Sequence, residues 1–196
     1  MPIARRWLLL LPLASLLAAC DTPPTRQPFA KLTYTYLKPY RLAVGRVDVV
    51  DAYRPPLAPP HVEQSFPVSP SGTAAQWGHD RLVAVGGADR AVYTVLRGDA
   101  IDTKLPVNNS GMFSDFENPQ SERYDLTIAV SLQIIAPDGR VTATVDAKAS
   151  RSITVAEDAT LNDRERTWFT LTEQTMKDLN GQLEKSIPAY LGSYLR

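Results

Sequence analysis

The chain has 196 residues, 44% of them apolar and 21% charged, and its 21 basic and 21 acidic side chains cancel, the make-up of one globular domain. That balance excludes the basic stripe needed to track nucleic-acid phosphates. A single cysteine, Cys20, excludes an internal disulfide. Two histidines, His61 and His79, do not make a zinc site without further ligands at tight spacing.

Arg5 and Arg6 form a short positive region ahead of an apolar run from Trp7 to Leu17, broken by Pro12 and Ser15. The run is shorter than the roughly 20 apolar residues of a spanning helix and has the length of an export signal's apolar centre. It ends in Leu17-Ala18-Ala19-Cys20, which reads as a bacterial lipobox. Small side chains fit the peptidase site, and the cysteine thiol is the atom that accepts a diacylglyceryl group. The expected organisation is a lipoprotein signal over 1–19, a lipidated Cys20 with a proline-rich tether over 20–33, and a single domain over 34–196. Two or more acyl chains give stable anchoring where one is marginal. Asp21 resembles the signal for retention in the inner membrane, which it favours over the outer one. Without Arg5 and Arg6 the mature chain carries 19 basic against 21 acidic groups, a net charge near −2.

From Asp21 to about Ala30 the prolines predict an extended, solvated tether. Residues 42–52 read as a first strand whose apolar phase flips around Gly45-Arg46, as a bulge would cause. Arg54 to Pro70 holds six prolines, a density that predicts a surface loop without ladder or helix, pinned by Val62 and Phe66. Ser69-Pro70 opens a helix in which Ala74, Trp77, Gly78, Arg81, Leu82 and Val85 recur at helical spacing, with Gly86-Gly87 as its stop. A second strand runs over 91–97, with continuation to Leu105 open, and residues 106–121 read as a polar loop centred on Asn108-Asn109-Ser110-Gly111.

Tyr124, Leu126, Ile128, Val130, Leu132 and Ile134 alternate with polar or small residues, the signature of a strand with one buried face. Pro137-Asp138-Gly139 predicts a tight turn, and a second alternating run from Val141 to Val155 completes an antiparallel hairpin. Arg151 interrupts its apolar phase, where the strand is expected to leave the core. A last helix starts near Leu161, capped by Thr160 or Asp158. Trp168, Leu171, Thr175, Leu179, Leu183, Ile187 and Leu191 line one face, and Pro188 predicts a kink or break. The fold class is α+β: a mainly antiparallel sheet in the order β-α-β-β-β-α, with two helices packed on one face.

No serine elbow, metalloprotease histidine pair or phosphate-cradling glycine loop occurs. Asp48 and Asp51 fall on opposite faces of a regular strand. The expectation is therefore no catalytic residue, no metal and no cofactor. The proline loop is the interaction candidate, with Tyr53, Leu57, Val62 and Phe66 as its binding residues and Trp77 as a further one. Its backbone groups are expected to stay free, and loss of Leu57 and Phe66 together to leave the fold nearly intact.

Val62-Glu63 through Phe66-Pro67, Gln76-Trp77 through Arg81-Leu82, Glu165-Arg166-Thr167-Trp168 and Asp178-Leu179-Asn180 together carry a resemblance. The mature chain resembles a family of uncharacterised alphaproteobacterial envelope lipoproteins. More distantly, its element order is similar to auxiliary lipoproteins of ABC-type lipid transporters, among them the lipoprotein subunit of the paraquat-inducible membrane complex. The resemblance implies a non-catalytic accessory lipoprotein on the periplasmic face, held to the membrane by lipid and bound to an envelope protein complex. The alternative is a lipid or small-molecule carrier with an apolar pocket between sheet and helices.

Overall fold

The computed structural model describes residues 29–106 and 119–196. The signal, Cys20, Asp21, the tether through residue 28 and the Asn108-Asn109-Ser110 turn lie outside the described residues. Six strands and two helices follow in the order β1 (Tyr40–Leu42), β2 (Arg46–Asp51), α1 (Pro70–Arg81), β3 (Leu82–Ala84), β4 (Arg90–Lys104), β5 (Gln120–Ile135), β6 (Val141–Ala156) and α2 (Leu161–Leu191). The main sheet has the order β2-β4-β5-β6, with β2 parallel to β4 and the other two pairs antiparallel; β1 and β3 form a separate parallel pair.

The hairpin β5–β6 follows the period-two pattern through its middle, between register shifts at its two ends. Leu126, Ile128, Val130, Leu132 and Ile134 are buried beside Val145, Ala147 and Ala149 on one face. The opposite face carries Thr127, Gln133, Thr144, Asp146, Lys148 and Ser150, so water solvates it at little cost. Arg151 does not lead the strand out of the core, because β6 runs on to Ala156 with Val155 buried. Its guanidinium instead reaches across to Asp178 on α2.

Both helices cover the apolar face, α2 over β6 and β5, α1 over β4 and β2. A reciprocal capping box between Thr160 and Asp163 starts α2, and all seven residues of its expected apolar stripe are buried. Pro188 does not break it: the helix continues to Leu191, so the proline disturbs only a terminal turn. Helix α1 begins at the Ser69 cap, whose hydroxyl accepts from the Gly72 amide at 3.1 Å. It seats Gly78 directly on the Tyr93 ring, where a Cβ would lie 2.6 Å from the nearest ring carbon.

Two boundaries differ from the sequence expectation, for one reason. Helix α1 ends at Arg81, not at Gly86, because Leu82–Ala84 find strand partners in β1. The first strand is likewise two strands in two sheets. At Gly45 the chain crosses Gly87, whose φ is +143° and whose Cβ would lie 2.5 Å from the Ala43 carbonyl oxygen. Gly87 is thus a crossing point and not a helix cap. The phase flip near Gly45 records a change of sheet, not a bulge; the register shifts lie elsewhere, in β4 between Val95 and Arg97 and at the two ends of the β5–β6 pairing. Strand β4 does continue, to Lys104.

Candidate functional site

The proline loop, 53–67, lies along the half of β4 that β2 leaves uncovered. Three backbone contacts dock it: the Val62 amide donates to Ala100 O at 3.0 Å, the Asp102 amide to Pro60 O at 2.9 Å, and His61 bridges to Ile101. A 3₁₀ turn over Glu63–Ser65 follows. The expectation of a loop with free backbone is therefore corrected. Proline lacks only its own donor, and the carbonyl of Pro60 and the amides of His61 and Val62 still bond.

Glu63 is the loop's inner peg. It is 5% exposed, accepts the Tyr53 hydroxyl at 2.6 Å and the Ala100 amide at 3.2 Å, and lies 3.8 Å from His61 Nδ1. Burial first, and then the hydrogen bond to Glu63, push the Tyr53 phenol above its ordinary range. Asp99, buried alongside in β4, is forked by Arg97 at 2.8 Å to each oxygen.

The five candidate residues separate. Phe66 is buried and stacks on Trp168, centroids 5.2 Å apart and rings 7° from parallel. Val62 is half-buried against the same core, and Tyr53 is tied to Glu63. Trp77 is fully buried between α1 and the sheet, 5.5 Å from the Tyr93 ring. Leu57 alone of the five is presented outward. It is 68% exposed and holds a φ of +57°, a conformation that costs a side-chain-bearing residue energy. Phe66 and Trp77 are thus core residues, and the loop's apolar display reduces to Leu57.

Two clusters are joined by the fold: the first brings together residues of two motifs, and the second carried no mark in the sequence. In the first, Asn180 Oδ1 on α2 accepts Trp77 Nε1 at 2.8 Å and Arg81 Nη1 at 3.0 Å. Arg81 is 3% exposed, its guanidinium lies 4.9 Å from the Tyr40 ring centre, and Glu184 approaches to 3.4 Å. In the second, Glu122 accepts Arg164 at 2.8 Å, Lys104 at 2.5 Å and the Tyr124 hydroxyl at 2.5 Å. Arg164 leads in pulling its carboxyl down to about 2. Apart from Tyr124, two residues from Glu122, these hydrogen-bond partners lie 18 to 103 residues apart along the chain, beyond any local motif. The motifs Trp77…Arg81 and Asp178-Leu179-Asn180 thus meet each other, as do Phe66 and Trp168, so these motifs hold elements together.

Among the described residues no three His, Cys, Asp or Glu side chains are placed to hold a metal, and no helix is long and apolar enough to cross a membrane. No protein-family model and no curated protein matches the chain. Among the solved structures similar to it are the following three. A minor lipoprotein from Acinetobacter baumannii is 17% identical over 76% of this chain and 93% of its own, with a TM-score of 0.39. Rare lipoprotein B from Shewanella oneidensis is 10% identical over 71% and 92%, with a TM-score of 0.36. A Xanthomonas campestris protein with the family model DUF330 is 14% identical over 81% and 96%, with a TM-score of 0.32.

Proposed function

We propose that the chain is a lipid-anchored envelope protein that works by binding, without catalysis, as an accessory subunit of a transport or assembly complex. The observation that carries this reading is Leu17-Ala18-Ala19-Cys20, which closes an apolar run over 7–17 and contains the chain's single cysteine. The anchor places the body on the periplasmic face, with Asp21 favouring the inner membrane. The folded body is compatible with a binding role. Three of its buried charged groups hold elements together: Glu63 by Tyr53 and the Ala100 amide, Glu122 by Arg164 and Lys104, Arg81 by Asn180. Trp77, Tyr93, Leu126, Ile128, Leu179 and Leu183 fill the space between sheet and helices, which favours a binding surface over an internal lipid chamber.

The test begins with palmitate labelling in cells. The natural chain should take up label and run as a shortened mature form, whereas Cys20→Ser should persist as an unlabelled, longer precursor. If the variant is still cut after Ala19 and still labels, the anchor reading fails. Affinity purification from native membranes then separates the two binding roles. Co-purifying protein supports an accessory subunit, and bound lipid in the absence of protein supports a carrier.

A further inference from the structure

We propose that residues 29–41 form a second, non-covalent contact with the membrane, a surface for acidic phospholipid headgroups that holds the helix side of the body against the bilayer. This surface presupposes the Cys20 anchor and decides which face of the protein the anchor brings down. Phe29, where the described residues begin, lies nine positions after Cys20. Nine residues span at most about 30 Å whatever path they take, so the segment starting at Phe29 is held within that distance of the bilayer surface. Its charge suits the place. Between residues 22 and 47 stand five basic side chains, Arg26, Lys31, Lys38, Arg41 and Arg46, and no acidic one, in a mature chain whose net charge is near −2. Lys31, Lys38 and Arg41 are exposed, and none has an ion-pair partner among the described residues. Cationic groups within a Debye length of anionic headgroups are attracted to them, and more distant ones are screened.

The segment is fixed in the helix layer by its aromatic residues. Phe29 packs on Phe169 of α2, ring centres 5.2 Å apart. Tyr34 is buried, and its amide donates to Asp80 on α1 at 2.8 Å. Residues 32–37 then border a groove of about 580 Å³ against residues 173–180 of α2. The segment thus crosses both helices, and the open polar face of the sheet lies on the far side of the molecule. Tyr36 breaks the pattern of burial: it stands 77% exposed, between Lys31 and Lys38 in sequence. An exposed tyrosine suits the headgroup layer, where its ring meets apolar chains and its hydroxyl stays wet. Lysine stems on either side can lie along that layer with their ammonium groups at the phosphates. The charged groups that the helices bring to the segment are Asp80 from α1 and Glu173 and Lys177 from α2. They sum to one negative charge against the three exposed cations, so the surface stays positive.

The test uses the full chain, purified from membranes and placed in nanodiscs of phosphatidylcholine, alone or mixed with phosphatidylglycerol, whose headgroups carry a spin label. Amide relaxation then reads each residue's distance from the membrane surface. In the mixed discs at low salt, the amides of Lys31, Tyr36 and Lys38 should relax at least about threefold faster than those of Thr127 and Ser150 on the open sheet face. The difference should shrink in phosphatidylcholine alone and on addition of salt. Lys31→Gln, Tyr36→Ser and Lys38→Gln combined should abolish it. Because all three side chains are exposed, that variant should stay in the disc and keep its urea midpoint. A chain that does not enter the discs refutes the anchor, and this surface with it. A chain that enters them but relaxes equally on both faces, responds alike to both lipids, or keeps its contrast in the triple variant refutes the surface and leaves the anchor standing.

Discussion

Glu122 shows how one carboxyl can make this protein acid-sensitive. It sits where β5 meets the start of α2, between Arg164 at 2.8 Å and Lys104 at 2.5 Å, and is 9% exposed. Arg164 first, then Lys104 and Tyr124, draw its folded-state value from 4.5 to about 2, against the opposing effect of burial. A value depressed by folding contributes stability that is complete above about pH 4.5 and is lost as pH falls toward 2. The full depression corresponds to up to about 3 kcal/mol, less the share that solvent screens at the 69%-exposed Lys104. Glu122→Gln should therefore lower stability near neutral pH by up to that amount and flatten its decline between about pH 5 and pH 3. Urea midpoints across that range measure it, and an unchanged slope would show that other carboxylates govern acid unfolding. Nothing at position 122 marks this role in the sequence, because Arg164 lies 42 residues away and only the fold brings it near.

At the scale of elements, the proline loop and the helices divide what periodicity can reveal from what it cannot. The α2 stripe was legible because one helix face must be apolar along its whole length, and its seven residues are all buried. The end of α1 was not. Leu82 continues the helical spacing, yet pairing with β1 supplies its neighbours with hydrogen bonds that a local pattern does not encode. Within the loop, Leu57 and Phe66 look alike in sequence and differ in the fold. Phe66 completes a stack on Trp168, while Leu57 is 68% exposed. Phe66→Ala should cost about 3–5 kcal/mol, as emptying an aromatic site does. Leu57→Ser should stay within about 0.5 kcal/mol of the natural chain. Equal losses in urea unfolding would place both side chains in the core. If Leu57 serves partner binding, its substitution alone should abolish co-purification while the fold persists.

For the whole molecule, the α+β class with both helices on one apolar face was legible, because six alternating positions in β5 and the α2 stripe each need a partner surface. The parallel pairing of β2 with β4 and the detached pair β1–β3 were not, since strand patterns carry no record of which strand lies beside which. That small sheet is where the residues after α2 are tied in. Tyr34 donates its amide to Asp80 on α1 at 2.8 Å, and after α2 the last residues return alongside β1. The Ala43 amide donates to Tyr194 O at 2.7 Å, the Arg196 amide to Arg41 O at 3.0 Å, and Leu195 bridges to Leu42 and packs on the core. The Tyr194 hydroxyl adds a bond to Thr142 on β6 at 2.9 Å, so the tail joins the small sheet to the large one. Deleting residues 194–196 removes two backbone bonds to the stretch 41–43 worth about 1 kcal/mol each, the weaker Leu195–Gly192 bond, the Tyr194 hydroxyl bond and the partial burial of one leucine. The expected loss is about 2–4 kcal/mol. Tyr190→Ala, at a side chain 69% exposed near the same end of α2, should cost no more than about 0.5 kcal/mol. Hydrogen exchange locates the effect: the Ala43 amide should lose protection in the truncated chain, while the β5–β6 ladder exchanges as before. A truncated chain that keeps both its urea midpoint and the protection of Ala43 would show that the tail merely lies against β1 and holds nothing.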